Sequence, residues 1–77
     1  MTHRILIVDD DLHIREVIRV ALKKAGMTVS EARDGREALG RFANDRPDLV
    51  VLDIGMPELD GLDVCREIRK SSDVPIL

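Results

Sequence analysis

The chain has 77 residues, of which 44% are hydrophobic and 35% charged, a composition typical of a folded domain and not of a disordered segment. Its formal net charge of -3 and its lack of a basic block argue against direct nucleic-acid binding through phosphate contacts. A chain this short buries only roughly 60% of its unfolded surface, so we expect one small domain over residues 1–77.

No segment of the sequence has the pattern of a targeting or membrane sequence. The apolar run near Met1 is too short for a signal peptide, and no stretch approaches the roughly 18 apolar residues of a membrane-spanning helix. Cys65 is the single cysteine, which excludes an internal disulfide and fits a reducing compartment. We therefore expect a cytoplasmic protein without a membrane partner.

The first half of the chain predicts two β-α pairs. Residues 5–8 form a continuous aliphatic run, as in a strand covered on both faces. Asp11 is placed to cap the N-terminus of a helix. Gly26 is placed to end the same helix in a left-handed conformation. Residues 27–32 alternate in polarity, which favours an edge strand, and residues 34–37 have the spacing of a capping box that opens a second helix.

The first of these helices is amphipathic. Its predicted inward positions recur every three or four residues: Ile14, Val17, Ile18, Ala21, Leu22 and Ala25. Its basic residues, Arg15, Arg19 and the pair Lys23-Lys24, are predicted to form a solvated face.

The second half of the chain continues the alternation. Residues 49–52 form another strand that is apolar throughout, and Asp60 is placed to cap a third helix. The predicted inward positions of that helix are Leu62, Cys65 and Ile68. Residues 74–77 begin a further strand. The order β-α-β-α-β-α-β, with short connections, predicts right-handed crossovers and a parallel sheet, so the fold class is α/β.

Acidic residues follow two of the apolar strands. Asp9 and Asp10 come directly after the first strand, and Asp53 directly after the third. The carboxyl ends of parallel strands share one edge of the sheet, so the three carboxylates converge if these strands are neighbours. An all-oxygen cluster suits Mg²⁺, and a metal there would allow the carboxylate of Asp53 to attack a phosphoryl group.

Each acidic segment also has a simpler explanation when it is taken alone. Residues 9–11 could be acids favoured at a helix N-terminus, and Asp53 could be an Asx-turn residue at the end of a strand. The convergent site is favoured because both segments end apolar runs on strands expected to be adjacent.

Four segments of the sequence together resemble the receiver domain of bacterial two-component response regulators. They are ILIVDDD (5–11), ARDGREAL (32–39), PDLVVLDIGMPELDGLDVCREIR (47–69) and VPIL (74–77). The resemblance covers essentially the whole chain and implies a flavodoxin-like (CheY-like) sheet with strand order 2-1-3-4-5.

The resemblance assigns roles to individual residues. Asp53 would be the phosphoacceptor, receiving its phosphoryl group from a sensor histidine kinase. Asp10 would bind Mg²⁺ directly with Asp9 beside it, and the backbone carbonyl of Gly55 would supply a neutral ligand; Mn²⁺ would substitute for Mg²⁺. Family members usually carry a larger residue than Gly55 at that position. Such a receiver is a signalling module and not an enzyme.

A complete receiver has about 120 residues, within the usual size range of domains. The chain is therefore expected to be incomplete at its C-terminus, without the last two helices and a lysine that contacts the phosphoryl group. A DNA-binding output domain is implied but absent from residues 1–77. Apolar side chains of the first, third and fourth strands would then be uncovered, which predicts self-association, most simply as a homodimer.

Other functions compete with this interpretation. Haloacid-dehalogenase-like phosphotransferases also place an aspartate nucleophile after a strand, but they carry a second aspartate where this chain has Gly55. A nucleotide-binding half-domain would need a glycine-rich phosphate loop, and the glycines do not fit one. A third alternative is a receiver fragment that cannot be phosphorylated and acts only as a self-associating structural module.

Overall fold

The computed structural model describes residues 3–53 and 61–77. Its strands and helices alternate along the chain as the sequence predicts: β1 (Arg4–Val8), α1 (Leu12–Lys24), β2 (Thr28–Ala32), α2 (Gly35–Asp45), β3 (Leu49–Leu52) and α3 (Gly61–Arg69). Within the described ranges, no helix is long and apolar enough to cross a membrane.

The three strands form one parallel sheet with β1 at its centre, in the order β2-β1-β3. Beyond β3, Ile76 forms an isolated parallel bridge with Val50. The N–H of Val50 donates to the carbonyl of Pro75 at 2.9 Å, and the N–H of Leu77 donates to the carbonyl of Val50 at 2.8 Å. The predicted fourth strand thus lies where the sequence analysis places it, as a single bridge beside β3.

Both ends of α1 follow the predicted capping chemistry. The carboxylate of Asp11 accepts a hydrogen bond from the backbone N–H of His13 at 2.8 Å. At the other end Gly26 has a φ of 85°, which places it in the left-handed region. The N–H of Gly26 donates to the carbonyl of Lys23, and that of Met27 to the carbonyl of Leu22, the paired bonds of a Schellman motif.

The start of α2 is a modified capping box. Asp34 accepts a hydrogen bond from the N–H of Glu37 at 2.8 Å, as predicted. The carboxylate of Glu37 accepts in return from the N–H of Arg33 at 3.1 Å, one residue earlier than in the usual box. The two bonds still fix the turn between β2 and α2.

The main core lies between the sheet and helices α2 and α3. It consists of Leu6, Val8, Ala32, Ala38, Val50, Val64 and Ile68, with Phe42 packed against it.

The predicted inward position of Leu62 in α3 is wrong, since this side chain is 55% exposed. The buried face of α3 is formed by Gly61, Val64 and Ile68, because the small Gly61 is the residue that faces the core in the first turn. The predicted cap at Asp60 lies outside the described residues.

On the opposite face of the sheet, α1 packs against β1 and β2. Ile5 and Ile7 are buried there, 2% and 0% exposed, so the expectation that the first strand is uncovered is wrong. Among the described residues, most of the exposed large apolar side chains belong instead to α1, where Ile14 is 47% and Val17 72% exposed although both were predicted to face inward. Leu77 of the predicted fourth strand is 75% exposed.

Candidate functional site

The structure brings the three predicted acidic residues together. One carboxylate oxygen from each of Asp9, Asp10 and Asp53 lies within 4.8 Å of the others. Asp9 and Asp53 are half-buried and Asp10 is exposed, so the cluster opens to solvent at the carboxyl edge of the sheet. The predicted convergence is therefore confirmed.

Backbone hydrogen bonds at the ends of the strands hold these residues in place. The N–H of Asp9 donates to the carbonyl of Ala32 at 3.1 Å, and the N–H of Asp53 donates to the carbonyl of Val8 at 2.9 Å. The pairing of β1 with both neighbours thus continues into the acidic residues. The distance between Asp9 and Asp53 follows from the strand register, because Val8 of β1 pairs with Leu52 of β3 immediately before these two residues.

The helix-capping explanation of residues 9–11 is correct as well, and it does not exclude the convergent site. Asp11 caps α1, while the Oδ1 atom of Asp9 accepts a hydrogen bond from the N–H of Asp11 at 2.8 Å. That bond, from residue i+2 to a side chain at i, forms an Asx-turn. It fixes the carboxylate of Asp9 towards the start of the helix while the cluster with Asp10 and Asp53 is maintained.

The donor set of the site fits a hard divalent cation. All three side chains offer carboxylate oxygens, and the exposure of Asp10 leaves room for the water ligands that Mg²⁺ retains. Carboxylate and water ligands also suit Mn²⁺. Gly55, the predicted carbonyl ligand, lies outside the described residues.

An ionic network that was not predicted from the sequence lies beside the site. Arg15 donates through Nε to Glu31 at 3.2 Å and through Nη1 to the backbone carbonyl of Asp9 at 2.6 Å. Arg19 contacts the other carboxylate oxygen of Glu31 at 3.0 Å. The prediction of a solvated basic face is therefore wrong for Arg15, whose side chain is only 13% exposed.

A sequence signal for this network exists. Arg15 and Arg19 are one helical turn apart, so they lie on the same side of α1. Glu31 is the acidic residue of an otherwise uncharged edge strand. Packing of α1 against β2 brings the two arginines over the glutamate. The periodicity of α1 by itself could not show this packing.

Comparisons with known proteins agree with this architecture. The sequence model of the response regulator receiver domain matches residues 5–77. The response regulator MprA of Mycolicibacterium vanbaalenii is 56% identical over 78 residues, which cover 100% of this chain and 34% of that protein. The "Probable transcriptional regulator ycf27" of Guillardia theta is 53% identical over 74 residues, covering 96% of this chain and 29% of that protein. The chain thus spans about a third of the length of the curated relatives it matches.

Solved structures show the same fold. The chemotaxis response regulator CheY4 of Vibrio cholerae superposes with a TM-score of 0.94 at 34% identity, over 99% of this chain and 66% of that one. The response regulator TrrA in complex with the histidine kinase ThkA gives 0.89 at 45% identity, over 99% and 66% of the two chains. TrrA from Thermotoga maritima in complex with Mg²⁺-BeF gives 0.87 at 46% identity, over 94% and 62%.

The flavodoxin-like fold, the acidic cluster at the carboxyl edge of the sheet and the match over residues 5–77 all point the same way. This chain belongs to the receiver-domain family of two-component response regulators.

Proposed function

We propose that Asp53 is the phosphoacceptor of a phosphorelay, receiving its phosphoryl group from a sensor histidine kinase in a Mg²⁺-dependent reaction. The observation that carries this proposal is the convergence of Asp9, Asp10 and Asp53 within 4.8 Å. The kinase as partner is supported by the histidine kinase complex of the neighbour TrrA, and the cation by the Mg²⁺-BeF complex of the same neighbour.

Asp10 and Asp9 would hold the cation from the β1 side, and Asp53 would share it from the β3 side. When bound, Mg²⁺ supplies positive charge that offsets the negative charge of the phosphoryl oxygens. The carbonyl of Gly55 remains a proposed additional ligand. Mn²⁺ is proposed as a substitute, since it takes the same oxygen ligands.

In the transfer step, a carboxylate oxygen of Asp53 attacks phosphorus and forms the new P–O bond. The P–N bond to the donor histidine breaks, and its electron pair remains on the imidazole nitrogen, which takes up a proton from solvent. The product is an aspartyl phosphate. The role of this chain is positioning and charge compensation, because phosphoryl transfer requires little other covalent chemistry from the protein.

The whole protein is proposed to be a cytoplasmic transcriptional response regulator in which a DNA-binding output domain accompanies the receiver. The relatives named as response regulators and as a transcriptional regulator, of which this chain spans about a third, support that proposal. In this role the receiver itself is a signalling module and not an enzyme.

A small phosphodonor tests the assignment of Asp53. Incubation with acetyl phosphate and Mg²⁺ should add one phosphoryl group, visible in the intact mass, and the modification should disappear in Asp53→Asn. The matched control Asp48→Asn removes one carboxylate at the opposite end of β3 and should still be modified. Persistence of the phosphoryl group in Asp53→Asn, or failure of the unaltered chain to react, would overturn the proposal.

Self-association is a second candidate function, and the exposed apolar flank of α1 favours it. Ile14 and Val17 are 47% and 72% exposed, on the flank of α1 opposite to Arg15 and Arg19. Those arginines face β2 through Glu31, so the apolar flank lies towards β1 and β3. Leu49 and Val51 of β3, on the same face of the sheet, are only half-buried. A homodimer that covers this flank is therefore proposed.

A further inference from the structure

Arg15 connects the backbone beside the acidic cluster to a side chain on the edge strand. Its Nη1 atom donates to the carbonyl of Asp9 at 2.6 Å, and its Nε atom donates to Oε1 of Glu31 at 3.2 Å. The side chains of Arg15 and Glu31 are 13% and 24% exposed. Hydrogen bonds that involve charged groups are strong, and partial exclusion of water strengthens them further.

The Glu31 end of this connection is fixed by the sheet. Glu31 pairs in register with Ile7 of β1, so its backbone position is set by the ladder. Arg19 contacts the other carboxylate oxygen of Glu31 at 3.0 Å, but the ladder fixes Glu31 without this contact. Glu31 is therefore a fixed partner for the guanidinium group of Arg15.

The other end of the connection is the backbone carbonyl of Asp9, which lies in the peptide group that sets the direction of two of the carboxylates. The carbonyl that accepts from Arg15 belongs to the peptide group between Asp9 and Asp10. Rotation of this peptide group changes ψ of Asp9 and φ of Asp10, and so redirects both carboxylates relative to Asp53. A hydrogen bond to this carbonyl opposes that rotation.

We infer that Arg15 is a positioning residue for the cation site, holding the peptide group between Asp9 and Asp10 so that the two carboxylates face Asp53. The inference rests on the proposed function of the acidic cluster. It assigns to Arg15 a role through geometry and not through its charge, which Glu31 compensates.

Geometry and charge predict opposite results for substitutions of Arg15. Loss of a nearby positive charge would strengthen cation binding by the carboxylates, so Arg15→Gln should bind Mn²⁺ more tightly if charge alone matters. Loss of positioning weakens binding. Arg15→Lys keeps the charge, but an ammonium group cannot reproduce the fork with which a guanidinium reaches two separate acceptors.

The experiment is a titration of each variant with Mn²⁺ alone, in which the signal of the free ion is followed by electron paramagnetic resonance. We expect Arg15→Gln and Arg15→Lys to bind about 10-fold more weakly than the unaltered chain, the lower end of what groups supporting metal ligands contribute. Arg19→Gln is the matched control. Arg19 contacts the same Glu31 without touching Asp9. Arg19→Gln should therefore keep the Mn²⁺ affinity within about twofold of the original. That change is well below the effect of losing a group that supports a metal ligand.

Tighter binding by Arg15→Gln, unchanged binding by Arg15→Lys, or equal weakening by Arg19→Gln would each overturn the inference. Circular dichroism without metal establishes which variants are folded, and Arg15→Lys decides the question if Arg15→Gln does not fold. Failure of the proposed function gives a different result, because the unaltered chain and Asp53→Asn would then bind Mn²⁺ alike.

Discussion

The backbone N–H of Asp53 donates to the carbonyl of Val8 at 2.9 Å, so an acidic residue of the site itself makes the bond that follows the last pair of the β1–β3 ladder. The backbone of Asp53 cannot move away from β1, and so from Asp9 and Asp10, without breaking this bond. The mutual repulsion of the three carboxylates is therefore a property of the folded sheet, and unfolding or a bound cation relieves it.

Asp53→Asn should consequently stabilise the chain in the absence of metal. The expected gain in the free energy of unfolding is roughly 1 kcal/mol, the Coulomb energy of two unit charges about 4 Å apart in water. Mg²⁺ should raise the melting temperature of the unaltered chain and have a smaller effect on Asp53→Asn, because a ligand stabilises the state that binds it. Thermal melts followed by circular dichroism, with and without Mg²⁺, provide the measurement.

The control for these melts is Asp73→Asn, which makes the same change in net charge at an exposed loop residue. It should leave both the melting temperature and its response to Mg²⁺ nearly unchanged. Equal stabilisation by the two substitutions would mean that overall charge, and not the cluster, is responsible.

The exposed flank of α1 predicts that Val17→Lys reduces self-association. Burial of apolar surface contributes about 25 cal/mol per Å², so covering a few hundred Å² of this flank would supply several kcal/mol to offset the entropy cost of association. A lysine at the most exposed of these positions places a charge in that interface. Sedimentation velocity over a concentration series should show a shift from dimer to monomer.

Leu62→Lys is the matched control for this substitution. Leu62 is 55% exposed on α3, on the other face of the sheet from α1, so a charge there should leave the dimer intact. A dilution-resistant monomer for the unaltered chain would contradict the proposed self-association outright.

Two glycines should respond to alanine with opposite signs. Gly26 has a φ of 85°, and a Cβ added there would meet no atom within 4 Å, so Gly26→Ala should cost about 1 kcal/mol through backbone strain alone. Gly40 lies inside α2 with the same open surroundings, so Gly40→Ala should stabilise the chain by roughly 0.5–1 kcal/mol. Urea unfolding of the two variants measures both values, and the same sign for both would contradict the conformational explanation.

Much of the fold was predictable because its signals are local. The cap at Asp11, the left-handed Gly26 and the edge position of β2 each depend on a few neighbouring residues, and the structure confirms all three. Convergence of the acids was predictable for a different reason. Parallel order places the residues that follow the strands at one edge, so Asp9 and Asp53 had to meet once β1 and β3 were neighbours.

The errors concern relationships between elements. Periodicity shows which residues of α1 share a flank, but not whether anything covers it, and so Val17 was wrongly placed inside. In α3 the prediction of Ile68 was correct, but hydrophobicity favoured Leu62 over the small Gly61 as the inward residue of the first turn. The contact between Arg15 and Glu31 joins a helix to an edge strand, so the one-turn spacing of Arg15 and Arg19 within α1 could not by itself identify Glu31 as their partner.

The central position of β1 has a consequence for how the molecule opens. Leu6 and Ile7 are fully buried on opposite faces of the sheet, and their strand has a partner along each edge. Their amide hydrogens should therefore exchange with deuterium only when the whole chain unfolds, whereas amides in β2 and in residues 74–77 should exchange through local fraying. Exchange rates followed by nuclear magnetic resonance should rank β1 slowest, so that its protection factors alone report the global free energy of unfolding.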